Sequence, residues 1–503
     1  MSETQAAQRP GPARRENVLA ALDRRQPSAF YWSLTLLATL GGFLFGYDTA
    51  NIGSVLDFIP YHLSGFALGY LVAGASVGAA VGAILAGPAT DRFGRKSLLI
   101  VDAGIYAAGA LLSAVTWNAE VLLVARTLIG LAIGADSAIA TAYISEYAPA
   151  NRRGSLSMLQ QWMITVGILV SYLVALAVLR SMPGNAYGAD WRLIFGLGAV
   201  PALIGLVLRT RMPESPRWLL QQGRYEDVRK ALGKLGVEVS LRQVEDTAQE
   251  VLRQERREQS DKRVSHWTPG VRRAVLVVSV FFVFQQITGI NVPLYYGPHL
   301  LAPLFQSGGH GQAVDAAIAG VEVTAIMTAV NVAATYFGFK YIDRIGRRRL
   351  SMGAYGGMAV AAVLAGIALG FLSGTAEIVV VMIGLDLFIA AFAVGVGGTG
   401  WLIQGETFPT AVRGRAASLC ATADWLANFA LIEVFPVWQG AIGLGWVLVC
   451  FAGLCLMAIA FVWAFLPETK GLSVDEIIHL YEKQARTGRP ASGIGPAAHQ
   501  ETG

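Results

Sequence analysis

Charge is what this chain is short of. Of its 503 residues only 15% are Asp, Glu, Lys or Arg, against 54% hydrophobic, and its mean hydropathy is +0.50. A soluble domain carries about a quarter charged residues, so a water-soluble fold is excluded. Cysteine is scarce as well: Cys420, Cys450 and Cys455 all lie in apolar stretches, which argues against a disulfide framework or a zinc site and leaves them as small hydrophobes. The six histidines, at 62, 266, 299, 310, 479 and 499, show no metal-ligand spacing, and no Gly-Lys-Ser or Gly-Lys-Thr phosphate loop exists. A membrane enzyme and an ATP-driven pump therefore both lack support, and no cofactor is implied. Residues 1–26 lack the continuous apolar core of a cleaved signal, so the first apolar stretch is expected to do the targeting.

What the chain has is apolar length. Windows of about 20 residues or more recur near 30–56, 65–89, 97–116, 119–147, 155–179, 189–209, 271–303, 313–340, 348–372, 376–405, 413–440 and 443–466, each long enough to cross hydrocarbon as a helix. The net charge of +5 does not point to nucleic acid, because the basic residues mark sidedness instead. Arg92, Arg95 and Lys96, then Arg152 and Arg153, the stretch after Arg209, Arg344 to Arg349, and Arg413 with Arg415 fall in alternate connections; Arg180 and Arg192 are the exceptions. The positive-inside rule then puts both termini in the cytosol. The expected organisation is a flexible N-terminal tail (1–26), a six-helix bundle (27–212), a cytosolic helical linker (213–268), a second six-helix bundle (269–466) and a cytosolic C-terminal tail (467–503). Glycine clusters inside the spans, as at Gly69, Gly74, Gly78, Gly82 and Gly87, where it lets helices approach closely.

The two bundles are one pattern written twice. Asp91-Arg92-Phe93-Gly94-Arg95-Lys96 is echoed by Asp343-Arg344-Ile345-Gly346-Arg347-Arg348-Arg349. Ser145-Glu146-Tyr147-Ala148-Pro149 with Arg153-Gly154 is echoed by Gly405-Glu406-Thr407-Phe408-Pro409 with Arg413-Gly414, and Pro213-Glu214-Ser215-Pro216-Arg217-Trp218 by Pro467-Glu468-Thr469-Lys470-Gly471. Asp91, Arg95, Glu146 and Arg153, and Asp343, Arg347, Glu406 and Arg413, supply opposite charges at helix ends on the inner face. Networks of such pairs, each about 0.2–1 kcal/mol when exposed, make a charge latch that breaks as the halves part.

Over residues 30–480 the chain resembles the sugar porter family of the major facilitator superfamily, bacterial proton:sugar symporters among them. The resemblance implies an all-α integral membrane fold of twelve helices in two six-helix halves, with alternating access around a central site. The substrate it implies is a monosaccharide or polyol, moved with a proton through a cell membrane by a chain that works as a monomer. A passive uniporter and a sugar sensor are the alternatives; the chain after Pro467 is short for a sensor's signalling tail.

Polar residues in the apolar windows locate the work. Phe284-Gln285-Gln286-Ile287-Thr288-Gly289-Ile290-Asn291-Val292-Pro293 sets three amides on a helix interrupted by Gly289 and Pro293. Buried amides need partners, and amides and sugar hydroxyls both donate and accept. Seven or eight such bonds of about 1 kcal/mol net each give roughly micromolar to millimolar affinity. The family pattern extends the substrate set to Gln161, Gln285, Gln286, Asn291, Asn331 and Trp401, whose indole would stack on a pyranose, with Tyr295 and Tyr296 as an outer gate. Asp48 and Arg126, charged inside the first and fourth windows, are expected to pair, and an acid alternately paired and released is a proton carrier. Asp424 departs from the pattern, since hexose carriers have a neutral amide there, and it is counted as a substrate residue. Asp102, Asp136, Glu322, Asp386 and Glu433 are further acids in or near apolar windows. Ile168 replaces a glutamine of some symporters, and Gly397-Gly398-Thr399-Gly400 lacks the usual proline but can still bend its helix.

Overall fold

Hydrocarbon leaves a backbone no partner but itself, so apolar runs of this length close their hydrogen bonds as helices. The computed structural model describes residues 29–61, 63–147, 153–234, 236–249, 267–305, 312–409 and 412–487, and these are helical with no strand among them. The expected tail over 1–26, the residues after 487 and the side chain of Arg153 lie outside the described residues. Eleven segments are long and apolar enough to cross a membrane, and the first pass makes twelve.

In the N-terminal half the passes are α1 (Ala29–Ala38) with α2 (Leu40–Val55), α3 (Gly65–Phe93), α4 (Arg95–Val115), α5 (Ala119–Tyr147), α6 (Arg153–Ser181), and α7 (Trp191–Leu197) with α8 (Ala199–Arg209). Short helices α9 (Pro216–Gln221) and α10 (Tyr225–Lys234) follow. They share a small core of Trp218, Leu220, Val228, Leu232 and Val244, the amphipathic linker expected of interleaved charged and apolar residues. The C-terminal half contains α11 (Pro269–Ile287) with α12 (Asn291–Leu301), α13 (Gln312–Ile345), α14 (Arg347–Phe371), α15 (Gly374–Gly395) with α16 (Thr399–Thr407), α17 (Arg413–Ile442) and α18 (Leu444–Phe465).

One further helix, α19 (Val474–Thr487), is not marked by apolar length. Its start is a capping box: Ser473 Oγ accepts from the Glu476 amide at 3.4 Å, while Glu476 Oε2 accepts from the Ser473 amide at 2.7 Å. Ile477, Leu480 and Tyr481 are buried, and Gln484 Nε2 donates to the Ala464 carbonyl at 2.9 Å. Of the tail expected over 467–503, the part through Thr487 is thus docked against the bundle.

Close packing and broken helices shape the two halves. In the N-terminal half α3 and α5 pack backbone to backbone. A Cβ on Gly78 would strike the Thr127 carbonyl, on Gly82 that of Leu131, on Gly130 that of Ala75 and on Gly134 that of Ala79. The C-terminal half breaks two of its passes at three-residue interruptions. α11 and α12 are separated by Thr288, Gly289 and Ile290, with Gly289 at φ +96°, a left-handed turn that L side chains resist. α15 and α16 are separated by Val396, Gly397 and Gly398, so two glycines break this pass without a proline.

The glycine seam is testable. Gly78→Leu and Gly130→Leu each push a side chain into a facing backbone, and should destabilise beyond the roughly 1–3 kcal/mol of ordinary overpacking. Melting in detergent should drop or folded protein be lost; a wild-type melting curve for both would show that the seam is not close-packed.

Candidate functional site

The strongest constraint lies in the N-terminal half. Asp48 on α2 and Arg126 on α5 are 2% and 0% exposed, and Arg126 Nη1 pairs with Asp48 Oδ1. Arg126 Nε donates to the Leu71 carbonyl at 3.3 Å, while its Nη2 is buried with no partner. A buried guanidinium held by one carboxylate and one carbonyl depends on that carboxylate.

In the C-terminal half the break in the seventh pass turns its amides toward one another. Gln286 Nε2 donates to Asp424 Oδ1 at 2.6 Å, and Gln286 Oε1 accepts from Asn291 Nδ2 at 2.8 Å. The same Asn291 nitrogen donates to Asn428 Oδ1 at 3.0 Å, and Asn428 Nδ2 donates to Ser76 Oγ on α3 at 3.1 Å. The chain Asp424–Gln286–Asn291–Asn428–Ser76 thus crosses from one half to the other. Gln285 Nε2 donates to the Gly397 carbonyl at 3.0 Å, in the break of the tenth pass, and its Oε1 is buried without a partner. Gln161, from α6, lies against the same Gly397.

Trp401 stands edge-on to Phe282, centroids 5.0 Å apart. Asn331 is buried on α13 with its Oδ1 3.5 Å from Thr335 Oγ1. Among the described residues it has no hydrogen bond to the amide chain. The Tyr295 hydroxyl faces Thr49 and Asn428 and lies in the field of Asp48 and Arg126, while the Tyr296 hydroxyl donates to the Ile432 carbonyl at 3.1 Å. Around these tyrosines the halves touch on the side away from the basic loops. Tyr172 donates to the Leu294 carbonyl at 2.8 Å, Arg180 Nε donates to Glu322 at 2.8 Å, and His299 pairs with Asp57.

At the basic loops the charges pair within each half. Arg95 Nη2 lies 2.9 Å from Glu146 and 3.7 Å from Asp91; Arg347 Nη2 lies 2.7 Å from Glu406 and 2.9 Å from Asp343. Arg413 Nε donates to the Phe408 carbonyl at 3.0 Å. Burial pushes the Glu146 carboxyl above its usual range, and the Arg95 guanidinium opposes that shift.

Sequence reasoning missed two acids here. Gly94 (φ +88°) and Gly346 (φ +96°) end one helix and start the next, leaving the new N-terminus without a side-chain cap. Glu214 Oε1 fills that place in one half, accepting from the Arg95 and Lys96 amides at 3.0 and 3.1 Å. Glu468 fills it in the other, accepting from the Arg347 and Arg348 amides at 2.9 and 3.1 Å. A carboxylate at a helix N-terminus is favoured by the free amides and the helix dipole. The signal was present in the repeated Pro-Glu after the sixth and twelfth passes. Asn428 was missed as well, though it lies four residues, about one helical turn, after Asp424.

Comparison with known proteins agrees with this architecture. The model of the family "Sugar (and other) transporter" matches residues 34–481. The arabinose-proton symporter of Bacillus subtilis is 33% identical over 464 residues, covering 92% of this chain and 97% of that protein. The D-xylose-proton symporter of Escherichia coli is 30% identical, covering 91% and 97%, and the major myo-inositol transporter IolT of B. subtilis 31% identical, covering 89% and 94%. A solved structure of the E. coli xylose transporter XylE, in a partially occluded inward open conformation, superposes with a TM-score of 0.75 at 29% identity, covering 89% of this chain and all of that one.

Two outcomes follow from the geometry. Gln286→Ala leaves both Asp424 and Asn291 short of a partner, and should cost about 1–3 kcal/mol of stability, read as a lowered melting temperature that Gln286→Glu does not mimic at acidic pH. For Glu146 the folded carboxyl titrates above the unfolded one, so its contribution is present below the unfolded pKa and lost as pH rises through the folded value. Removing Arg95 widens that gap. Arg95→Ala should therefore lower the melting temperature more at neutral than at mildly acidic pH; an equal loss at both would rule out this ionic coupling.

Proposed function

The chain belongs to the sugar transporter family, and we propose that it carries a monosaccharide or polyol across the cell membrane together with a proton, by alternating access. The protein is an integral membrane protein and not an enzyme. The observation that carries the coupling is the Asp48–Arg126 pair, a buried ion pair whose charges reach the central tyrosine Tyr295.

In this reading the amides and Asp424 are a substrate surface closed on itself. Each bond in Asp424–Gln286–Asn291–Asn428 can be exchanged for one to a sugar hydroxyl, because amide and hydroxyl groups share the same donor and acceptor roles. Gln285 Oε1, buried without a partner, is the acceptor that a hydroxyl would satisfy most profitably in free energy. Gln161 approaches from the opposite half, Trp401 offers an apolar face to the sugar ring, and Asn331 is a contact made as the halves rearrange.

Asp48 gives the proton its address. Paired with Arg126 it is a carboxylate; protonated, it frees the guanidinium and alters the surroundings of Tyr295, and so the gate formed by Tyr295 and Tyr296. Sugar and proton then bias one equilibrium. The basic loops face the cytosol, as do both termini. The pairs Arg95–Glu146 and Arg347–Glu406, with Asp91, Asp343 and Arg413, keep the helix ends of each half together, and their regrouping is the inner latch. Every group this mechanism uses comes from one chain, so a monomer suffices.

Labelled-sugar uptake into proteoliposomes, over hexoses, pentoses, polyols and a cationic control, with and without a pH gradient, tests the proposal. Wild type should concentrate a neutral sugar when the gradient is imposed. Asp48→Asn should abolish sugar-induced alkalinisation while counterflow exchange continues. Undiminished proton uptake in that variant would remove Asp48 from the mechanism, and gradient-independent uptake by wild type would make the protein a uniporter.

A further inference from the structure

Two of the acids that the mechanism leaves idle meet inside the N-terminal half. Asp102 on α4 and Asp136 on α5 are 5% and 3% exposed, and Arg209, in the last turn of α8, is fully buried. Arg209 Nη1 lies 2.6 Å from Asp136 Oδ1 and also donates to the Leu99 carbonyl at 2.7 Å. Asp102 Oδ2 is buried with no hydrogen-bond partner. All three line a small cavity with Gly41, Leu44 and Tyr106. A Cβ on Gly41 would coincide with Asp136 Oδ2, so the space that glycine leaves is what admits this carboxylate.

The charges do not cancel. Two carboxylates and one guanidinium leave a net negative charge in a buried pocket, which is expensive unless a cation or a proton is added. The groups around Asp102 can be named element by element: Asp136 from α5, Arg209 from α8 and Tyr106 from its own helix; Asp48 of α2 and Arg126 of α5 act on Tyr106 from beyond them. Among these the single close cation is already engaged by Asp136.

Position gives the cluster a use. Asp136 follows Arg126 by ten residues on α5, about 15 Å along the helix toward the basic loops. Asp102 is seven residues into α4, about 10 Å from its start at the basic face. Tyr106, one turn from Asp102, donates to the Leu44 carbonyl at 3.0 Å and lies close enough to Asp48 and Arg126 to feel their charges.

We propose that Asp102, Asp136 and Arg209 form a second proton-binding site, in which two carboxylates share one proton opposite a single guanidinium, placed between the Asp48–Arg126 pair and the cytosolic face. The inference rests on the symport reading for its role but not for its existence. In the relay, the Asp102 O–H bond breaks as its proton passes to cytosolic water. The Asp102 carboxylate then takes the proton released by Asp48, by way of the Tyr106 hydroxyl or water, and Asp48 as carboxylate pairs again with Arg126.

The test uses the full chain in liposomes: wild type, Asp48→Asn, Asp102→Asn and Asp136→Asn. Infrared difference spectra after a pH jump should show a protonated carboxylic acid band that persists in Asp48→Asn and is lost in Asp102→Asn and in Asp136→Asn, each of which leaves one acid to one guanidinium. Sugar-coupled proton uptake in Asp102→Asn should fall about tenfold, a barrier rise of roughly 1.4 kcal/mol, with counterflow retained as the check on folding. A band unchanged in both Asp102→Asn and Asp136→Asn would overturn the site, as would a band displaced by sodium at constant pH, which would make it a metal-cation site. If wild type shows the band but moves no proton with sugar, the site stands and the symport reading fails.

Discussion

A charge placed in hydrocarbon must find its opposite, and the rest of this molecule is arranged around where those opposites are. Arg126 has no exposed surface and leans on Asp48. Holding α2 and α5 at the distance this pair needs depends on small residues: α5 lies against α3 at Gly78, Gly82, Gly130 and Gly134, and α2 against α6 at Gly46 and Gly167. The glycine content that looked like ordinary membrane packing therefore also fixes an electrostatic distance. Loosening one of these contacts would part the ions as well as the helices.

The same rule governs the helix ends at the basic face. A chain that turns sharply at Gly94 or Gly346 exposes the first amides of the next helix, and Glu214 or Glu468 closes each set from a segment more than a hundred residues away. Each half is thus stapled by the residue that follows its last pass. This explains why the Pro-Glu pattern recurs at the same place in both halves while the residues after it diverge.

Much of this was legible in the sequence. Apolar length marked the passes, the doubled Asp-Arg-x-Gly-Arg loop marked the repeat, and Gly289 and Gly397 marked the two interruptions, because each is a local signal. What escaped was long-range. The pairing of Asp136 with Arg209, of Glu322 with Arg180 and the caps made by Glu214 and Glu468 join residues far apart along the chain, and no periodicity reports them. Asn428 and α19 escaped for a different reason: a lone amide on a long apolar helix, and a short amphipathic helix past the last span, both look like background until their partners Ser76 and Ala464 are seen.

The amide chain ends in one hydrogen bond between the halves, Asn428 to Ser76. Most of the amides on one side of it belong to the C-terminal half, and the Asp48–Arg126 pair on the other side belongs to the N-terminal half. On the proposed reading, the groups that choose the substrate and the group that carries the proton are therefore housed in different halves, which pack along α3 against α17 and α6 against α13 and share this polar link. If the proposed roles hold, a lineage of such chains can change its cargo by rewriting the interrupted helices while its fuel supply is inherited untouched.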